Sequence, residues 1–204
     1  MSRAIAREFR IPNDAYYTQS ALADNLVETL IQEEIIHLDT SLDILEPSVG
    51  GGAFVQALQK QPDADKFICT LTGIDIDPRA NGFKFCPEKE VIKFCEYSPE
   101  KAPDLIIGNP PFSQAQEHIL HALSLVNYGG HVCFLLRLAM LESKKRFNFW
   151  QKYPASHIFV LSERPSFTSD GKTDSAAYAF FVWNKWPDMR NTQTKLKIIS
   201  WKRK

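Results

Sequence analysis

Residues 43–54 read Asp43-Ile44-Leu45-Glu46-Pro47-Ser48-Val49-Gly50-Gly51-Gly52-Ala53-Phe54. A short apolar run enters three glycines and leaves through apolar residues, which predicts a buried strand, a tight loop and the start of a helix. Such a loop serves a nucleotide-like ligand that must approach the backbone where a β-carbon would obstruct it.

Working outward, residues 20–37 place Leu22, Leu26, Leu30 and Ile31 at helical spacing. Strands are predicted at 42–46, 67–75, 91–97, 105–108 and 131–137, with helices over 52–60, 114–127 and 138–152. Two late strands, 157–163 and 177–183, leave no room for a crossover helix between them, and 195–201 offers one more. Strand and helix alternating in this way predict an α/β, Rossmann-like, mostly parallel doubly wound sheet, with an antiparallel strand added near the C-terminus. The chain reads as one domain over 1–204: an N-terminal motif and helix (1–40), a core (41–184) and a tail or edge strand (185–204), without a separate target-recognition domain. The link Arg164–Ser175 runs 12 residues, long for a hairpin and often functional at that length.

Three ligand classes compete for the glycine loop. A phosphate-binding loop needs GxxxxGK[ST], and the Gly171-Lys172-Thr173 triplet has Ser166 where the first glycine belongs. A dinucleotide fingerprint fits Gly50 and Gly52 but finds Val55 at its third glycine. Glu46 beside the loop disfavours a pyrophosphate and suits a cationic ligand. Asp75 ends the next strand 25 residues after Gly50, where an acid accepts ribose hydroxyls. Ribose, positive charge and no pyrophosphate point to S-adenosyl-L-methionine.

The sharpest signal is Asp104-Leu105-Ile106-Ile107-Gly108-Asn109-Pro110-Pro111-Phe112. Two prolines make a rigid exit from a strand. The Asn109 side-chain carbonyl and the Pro110 backbone carbonyl can then act as a pair of acceptors for an NH₂ group. Accepting both protons turns the nitrogen lone pair toward a methyl donor, and Phe112 offers a ring for stacking a planar group.

Composition limits the partners. Lys plus Arg equals Asp plus Glu at 24 each, so nucleic-acid contact must come from local patches such as Lys144-Lys145-Arg146 and Lys202-Arg203-Lys204, with Trp186 and Trp201 near in sequence. The four cysteines form no CxxC, which disfavours a zinc knuckle or disulfide framework. His118 and His121 sit at i, i+3 with no third ligand evident, so no metal is expected. No signal core or membrane-length apolar run is visible, and a cytoplasmic protein is expected.

Residues 43–54, 73–78 and 105–112 together resemble the S-adenosylmethionine-dependent amino-methyltransferases, in particular DNA adenine-N6 methyltransferases with an Asn-Pro-Pro-Phe/Tyr motif. Tyr16-Tyr17-Thr18-Gln19 is similar to that family's N-terminal cofactor motif, with Gln for Pro. Phe134 to Arg137, Arg146, Arg164-Pro165-Ser166-Phe167, Gly171 to Asp174 and Tyr178–Trp183 look like small phage- or plasmid-type members. The resemblance implies methyl transfer to adenine N6 in DNA by direct displacement, with the base flipped out of the stack. It assigns Tyr17 and Thr18 to the methionine end, and Glu46, Pro47, Gly50, Gly52 and Phe54 to the cofactor loop. Asp75 with Ile76 takes the ribose, and Glu96 the cofactor's adenine amine. Asn109, Pro110, Pro111 and Phe112 receive the target amine, Asn109 also facing the cofactor; Phe167 clamps the base and Arg164 lies in the same loop. RNA adenine, a protein glutamine amide, or a cofactor-binding subunit that needs a partner are the other readings.

Overall fold

Eight strands share one sheet: β1 (Leu42–Glu46), β2 (Ile68–Asp75), β3 (Glu88–Val91), β4 (Leu105–Gly108), β5 (His131–Arg137), β6 (His157–Leu161), β7 (Tyr178–Asn184) and β8 (Lys195–Ile199). The helices are α1 (Ser20–Gln32), α2 (Ala53–Gln59), α3 (Ala64–Phe67), α4 (Ala115–Leu125) and α5 (Phe147–Lys152). This computed structural model describes residues 17–167 and 175–202. Tyr16, residues 168–174 of the Arg164–Ser175 link and the last two basic residues lie outside the described residues.

The strand order is β3-β2-β1-β4-β5-β7-β6-β8. Strands β3, β2, β1, β4 and β5 run parallel, β7 is antiparallel to both β5 and β6, and β8 runs parallel to β6. The expected antiparallel addition is present: β7 slots between β5 and β6, and β8 extends the edge beyond them. Between β1 and β4 the order reverses, so the carboxyl ends of these two strands flank the crevice where open α/β sheets hold ligands.

Period-two alternation in the central strands feeds two cores. Ile44, Ile107, Leu135 and Phe180 join Leu22, Leu26 and Leu30 of α1 and Phe54 of α2 on one face. Leu45, Ile106, Phe134 and Phe181 join Ile119 and Leu123 of α4 and Phe149 of α5 on the other. Sheet residues thus bury both faces, which is why their sequence reads as continuous apolar runs.

Four expectations shift. The first helix stops at Gln32, five residues early, because Glu34 adopts φ 56° and the Ile35 N–H turns back to the Leu30 carbonyl (2.8 Å) while Glu34 N–H bonds Ile31 (3.1 Å). That is a Schellman stop, here without glycine. Residues 91–97 are not one strand: β3 ends at Val91, and Phe94–Glu96 form a 3₁₀ turn that buries Phe94. Pairing on one edge holds only the charged segment Glu88–Val91, and Phe94 leaves to pack against His118 and His121. The fourth expected helix, 138–152, breaks at Ser143 (φ 100°) into two 3₁₀ turns and α5. There Arg146 Nη1 donates to the carbonyls of Ala139 and Glu142, and Trp150 Nε1 to that of Met140, which satisfies the interrupted backbone. The last strand stops at Ile199, and Trp201 beyond it is buried with its indole N–H on the Glu163 carbonyl.

Trp183 anchors the second core, fully buried, stacked on Phe181 and Trp150 and donating its indole N–H to Tyr153 O (3.1 Å). Trp183→Ala is expected to lower stability by about 3–5 kcal/mol in urea unfolding; a loss below about 1 kcal/mol would show that this face collapses around the void.

Candidate functional site

Glu46 is the last residue of β1 and almost completely buried. Its Oε2 accepts the N–H of Val55 (3.1 Å), the third residue of α2. Gly52, which begins that helix with φ 75°, has no side chain to cap it, so the carboxyl from the strand does the work of an N-cap. Gly52 is glycine for a packing reason as well: a β-carbon there would lie 2.8 Å from the Gly82 Cα.

Asp75, ending β2, ties down the other side of the loop. Its Oδ2 accepts from Gly50 N and its Oδ1 from Asp77 N, both at 2.9 Å. The loop is thus braced by two carboxyl groups, one per strand end. Burial holds the Glu46 carboxyl well above the usual carboxylate range; the Val55 hydrogen bond opposes that rise and the Asp75 charge adds to it. Neither acid has an ion-pair partner among the described residues. Two acids at adjacent strand ends, one of them desolvated, favour a cationic ligand.

Tyr17 lies over the loop: a β-carbon at Gly50 would sit 3.4 Å from its ring. Thr18 reaches the second motif, its Oγ1 accepting from Asn109 Nδ2 at 3.1 Å. That bond fixes the amide, nitrogen toward Thr18 and carbonyl oxygen turned away from it. Asn109 follows β4 directly, and a β-carbon on Gly108 would stand 3.5 Å from the Glu46 Cγ and the Pro47 Cδ. The amide therefore adjoins the acidic floor. Pro110 is buried, and the Pro111 carbonyl accepts from Gln114 N to start the turn into α4.

Phe112 leads into an aromatic group. Its ring centre is 5.4 Å from that of Tyr178 and 6.0 Å from that of Phe167, and the Arg137 guanidinium lies over it at 5.0 Å. Arg137 Nε donates to the Tyr178 hydroxyl (3.2 Å). Arg137 and Tyr178 were not among the residues expected from sequence. The available signal was a charged residue closing an apolar strand at the carboxyl end of a parallel sheet.

Tyr17, Thr18, Glu46, Pro47, Gly50, Asp75 and Asn109 thus come together, with Phe112 and Phe167 beside them. Others stand apart. Phe54 points into the core, stacked on Phe180 (5.8 Å, 9°). Glu96 is exposed and pairs with Lys93. Ile76 and Arg164 are exposed next to the site's elements. His118 Nδ1 faces the Gln114 carbonyl and His121 Nε2 the Tyr97 carbonyl, and no group of three potential metal ligands occurs among the described residues. Lys144 and Lys145 are exposed in the turn before α5, Lys144 lining a cavity with Ala155, Ile158 and Thr194 near the amino ends of β6 and β8, and Trp186, beyond β7, stands near Gly129 at the amino end of β5. No described helix is long and apolar enough to cross a membrane.

Comparison with known proteins gives the class. No family model matches the chain. A class I S-adenosylmethionine-dependent methyltransferase structure from Listeria monocytogenes superposes with a TM-score of 0.66 at 15% identity, covering 95% of this chain and 68% of that one. The chain therefore has the Rossmann-like α/β fold of class I methyltransferases. In sequence it is similar to the Type II methyltransferase M.CvrRI of Paramecium bursaria Chlorella virus XZ-6E, 27% identical over 134 residues, 64% of this chain and 33% of that protein. It is also similar to the Type II methyltransferase M.TthHB8I of Thermus thermophilus, 32% identical over 123 residues, 59% of this chain and 27% of that protein. The matches span about a third or less of these relatives.

The raised folded-state pKa of Glu46 has a defined sign. The folded protein holds that proton more tightly than the unfolded chain, so its contribution is complete at acid pH and is lost as pH rises from the ordinary carboxylate range through the folded-state value. Glu46→Gln is expected to flatten this decline in a melting-temperature series; an unchanged slope would place the titration elsewhere.

Proposed function

We propose that this chain transfers the methyl group of S-adenosyl-L-methionine to an exocyclic amine, with N6 of adenine in DNA as the target. The observation that carries the reading is the Thr18–Asn109 hydrogen bond, which sets an acceptor oxygen at the strand end beside a cleft that suits a sulfonium. The residues fit that cofactor: Asp75 has no ion-pair partner among the described residues and retains lone pairs for ribose hydroxyls, the buried Glu46 carboxyl would ionise more readily beside a cation, and Gly50 lies under the Tyr17 ring. The bound cofactor supplies an electrophilic methyl on a positively charged sulfur.

The protein's own part is placement. Asn109 Oδ1 and the Pro110 carbonyl accept the two amine protons, leaving the nitrogen lone pair toward the methyl. The cofactor, when bound, would supply both the methyl group and, as a neutral thioether, the leaving group, and the methylated amine would lose its proton to water. Positioning of this kind needs no covalent intermediate on the protein. Phe112 and the buried Phe167 offer stacking surface that recovers part of the cost of unstacking a base, a few kcal/mol. Lys144 and Lys145 are an exposed basic pair available to phosphates. The similarity to two Type II methyltransferases supports DNA as the substrate. A partner that reads the target sequence belongs to the same proposal; the matched segments make up 33% and 27% of those relatives.

The test is transfer from labelled S-adenosyl-L-methionine to DNA, RNA and protein, followed by digestion and mass spectrometry. N6-methyladenine from DNA is expected; label confined to RNA adenine or to glutamine would replace the substrate, and no transfer at all would overturn the enzymatic reading. Asn109→Ala should lower turnover by at least about a hundredfold while cofactor affinity stays within a few fold. Intact turnover would refute the acceptor pair. Asp75→Ala should weaken cofactor binding in calorimetry by at least about tenfold, and unchanged affinity would remove Asp75 from the ribose site.

A further inference from the structure

We infer that the outer edge of β8 takes a partner protein by strand addition, the partner supplying an extended segment in which apolar residues alternate with Asp or Glu. This edge belongs to a different part of the sheet from the cofactor loop, and the inference does not depend on the methyl-transfer reading. β8 is the last strand of the sheet and pairs only with β6 among the described residues. Lys195 N–H donates to the Ser156 carbonyl (2.8 Å), and the Ile199 carbonyl accepts from Ser162 N–H (2.9 Å). Those two bonds set the phase of the parallel ladder. The backbone of residues 195, 197 and 199 faces β6, so the N–H and C=O groups of Leu196 and Ile198 point away from the sheet. An added strand takes up such groups.

The side chains of β8 divide with the same period of two. Leu196 and Ile198 lie opposite Ile158 and Val160, on the face of the second core, yet they are 62% and 68% exposed. Ile158 also lines a cavity of about 530 Å³ with Leu141, Phe147, Trp150 and Pro154, so the apolar strip continues past β6. The other face of β8 carries Lys195 and Lys197. Lys197 pairs with Glu33 of α1 (2.5 Å), and Lys195 has no ion-pair partner among the described residues. β8 holds no proline and no register shift, which leaves lysine as the guard of this edge. A second β8 would set lysine beside lysine, which is destabilising, whereas an acidic strand turns the same charges into attraction. The outward amides, the apolar strip and the lysines together select an acidic, alternating peptide.

The test is a fluorescence-anisotropy titration of the full chain into a labelled peptide of about six residues that alternates Glu with Val. Saturable binding is expected. It should weaken at least about tenfold when Lys replaces Glu in the peptide, and at least about threefold in Lys195→Glu. N-methylation of one alternate set of peptide amides should abolish binding, and of the other set leave it within about twofold. Ile198→Pro removes an outward donor and no bond of the ladder, so it should cut affinity at least about tenfold with a melting temperature close to wild type. No binding up to about 1 mM, equal binding of the two N-methylated peptides, or equal binding of polyglutamate would overturn the assignment. A dimer of the free protein in sedimentation, dissolved by Ile198→Pro, would give the edge to a second copy and overturn it as well.

Discussion

The hydrogen bond from Val55 N–H to the buried Glu46 carboxyl is the constraint on which the site depends. It joins the end of β1 to the first turn of α2 across a loop of three glycines, where no local side chain caps the helix. Capping from a neighbouring strand fixes the loop's exit angle and leaves three successive glycines free of side chains under Tyr17. The cost is a desolvated acid. A ligand that brings positive charge to the cleft offsets that cost, so the same residue shapes the loop and selects what binds above it.

The remaining contacts extend from that point. Asp75 ties Gly50 to β2, Thr18 ties Asn109 to the N-terminal segment, and a β-carbon on Gly108 of β4 would touch Glu46. Three strand ends are thereby coupled without an ion pair among the described residues at the centre. The order reversal between β1 and β4 makes this coupling possible, since both strands point their carboxyl ends into one crevice.

Much of this was legible in the sequence because it is local. Strand, loop and helix over 42–59 follow from residue order alone, and the Asn109-Pro110-Pro111-Phe112 exit declares itself by two adjacent prolines. Apolar runs in β4, β5 and β7 mark doubly covered strands. What escaped was set by tertiary contact. Periodicity carried the first helix through Glu34, although a hydrogen bond from Ile35 back to Leu30 ends it. Phe54 looked like loop lining and instead stacks on Phe180, more than a hundred positions away. Arg137 and Tyr178 meet only through the register of an antiparallel pair, which no single segment encodes.

The most direct test of the account is calorimetric titration of S-adenosyl-L-methionine into the protein in two buffers of different ionisation heat. A cation entering beside Glu46 should lower that carboxyl's pKa, so a pH series of the titration is expected to show proton release on binding that is lost in Glu46→Gln. Tight binding with no proton exchange, or the same exchange in the variant, would contradict the claim that this buried acid forms the cofactor site.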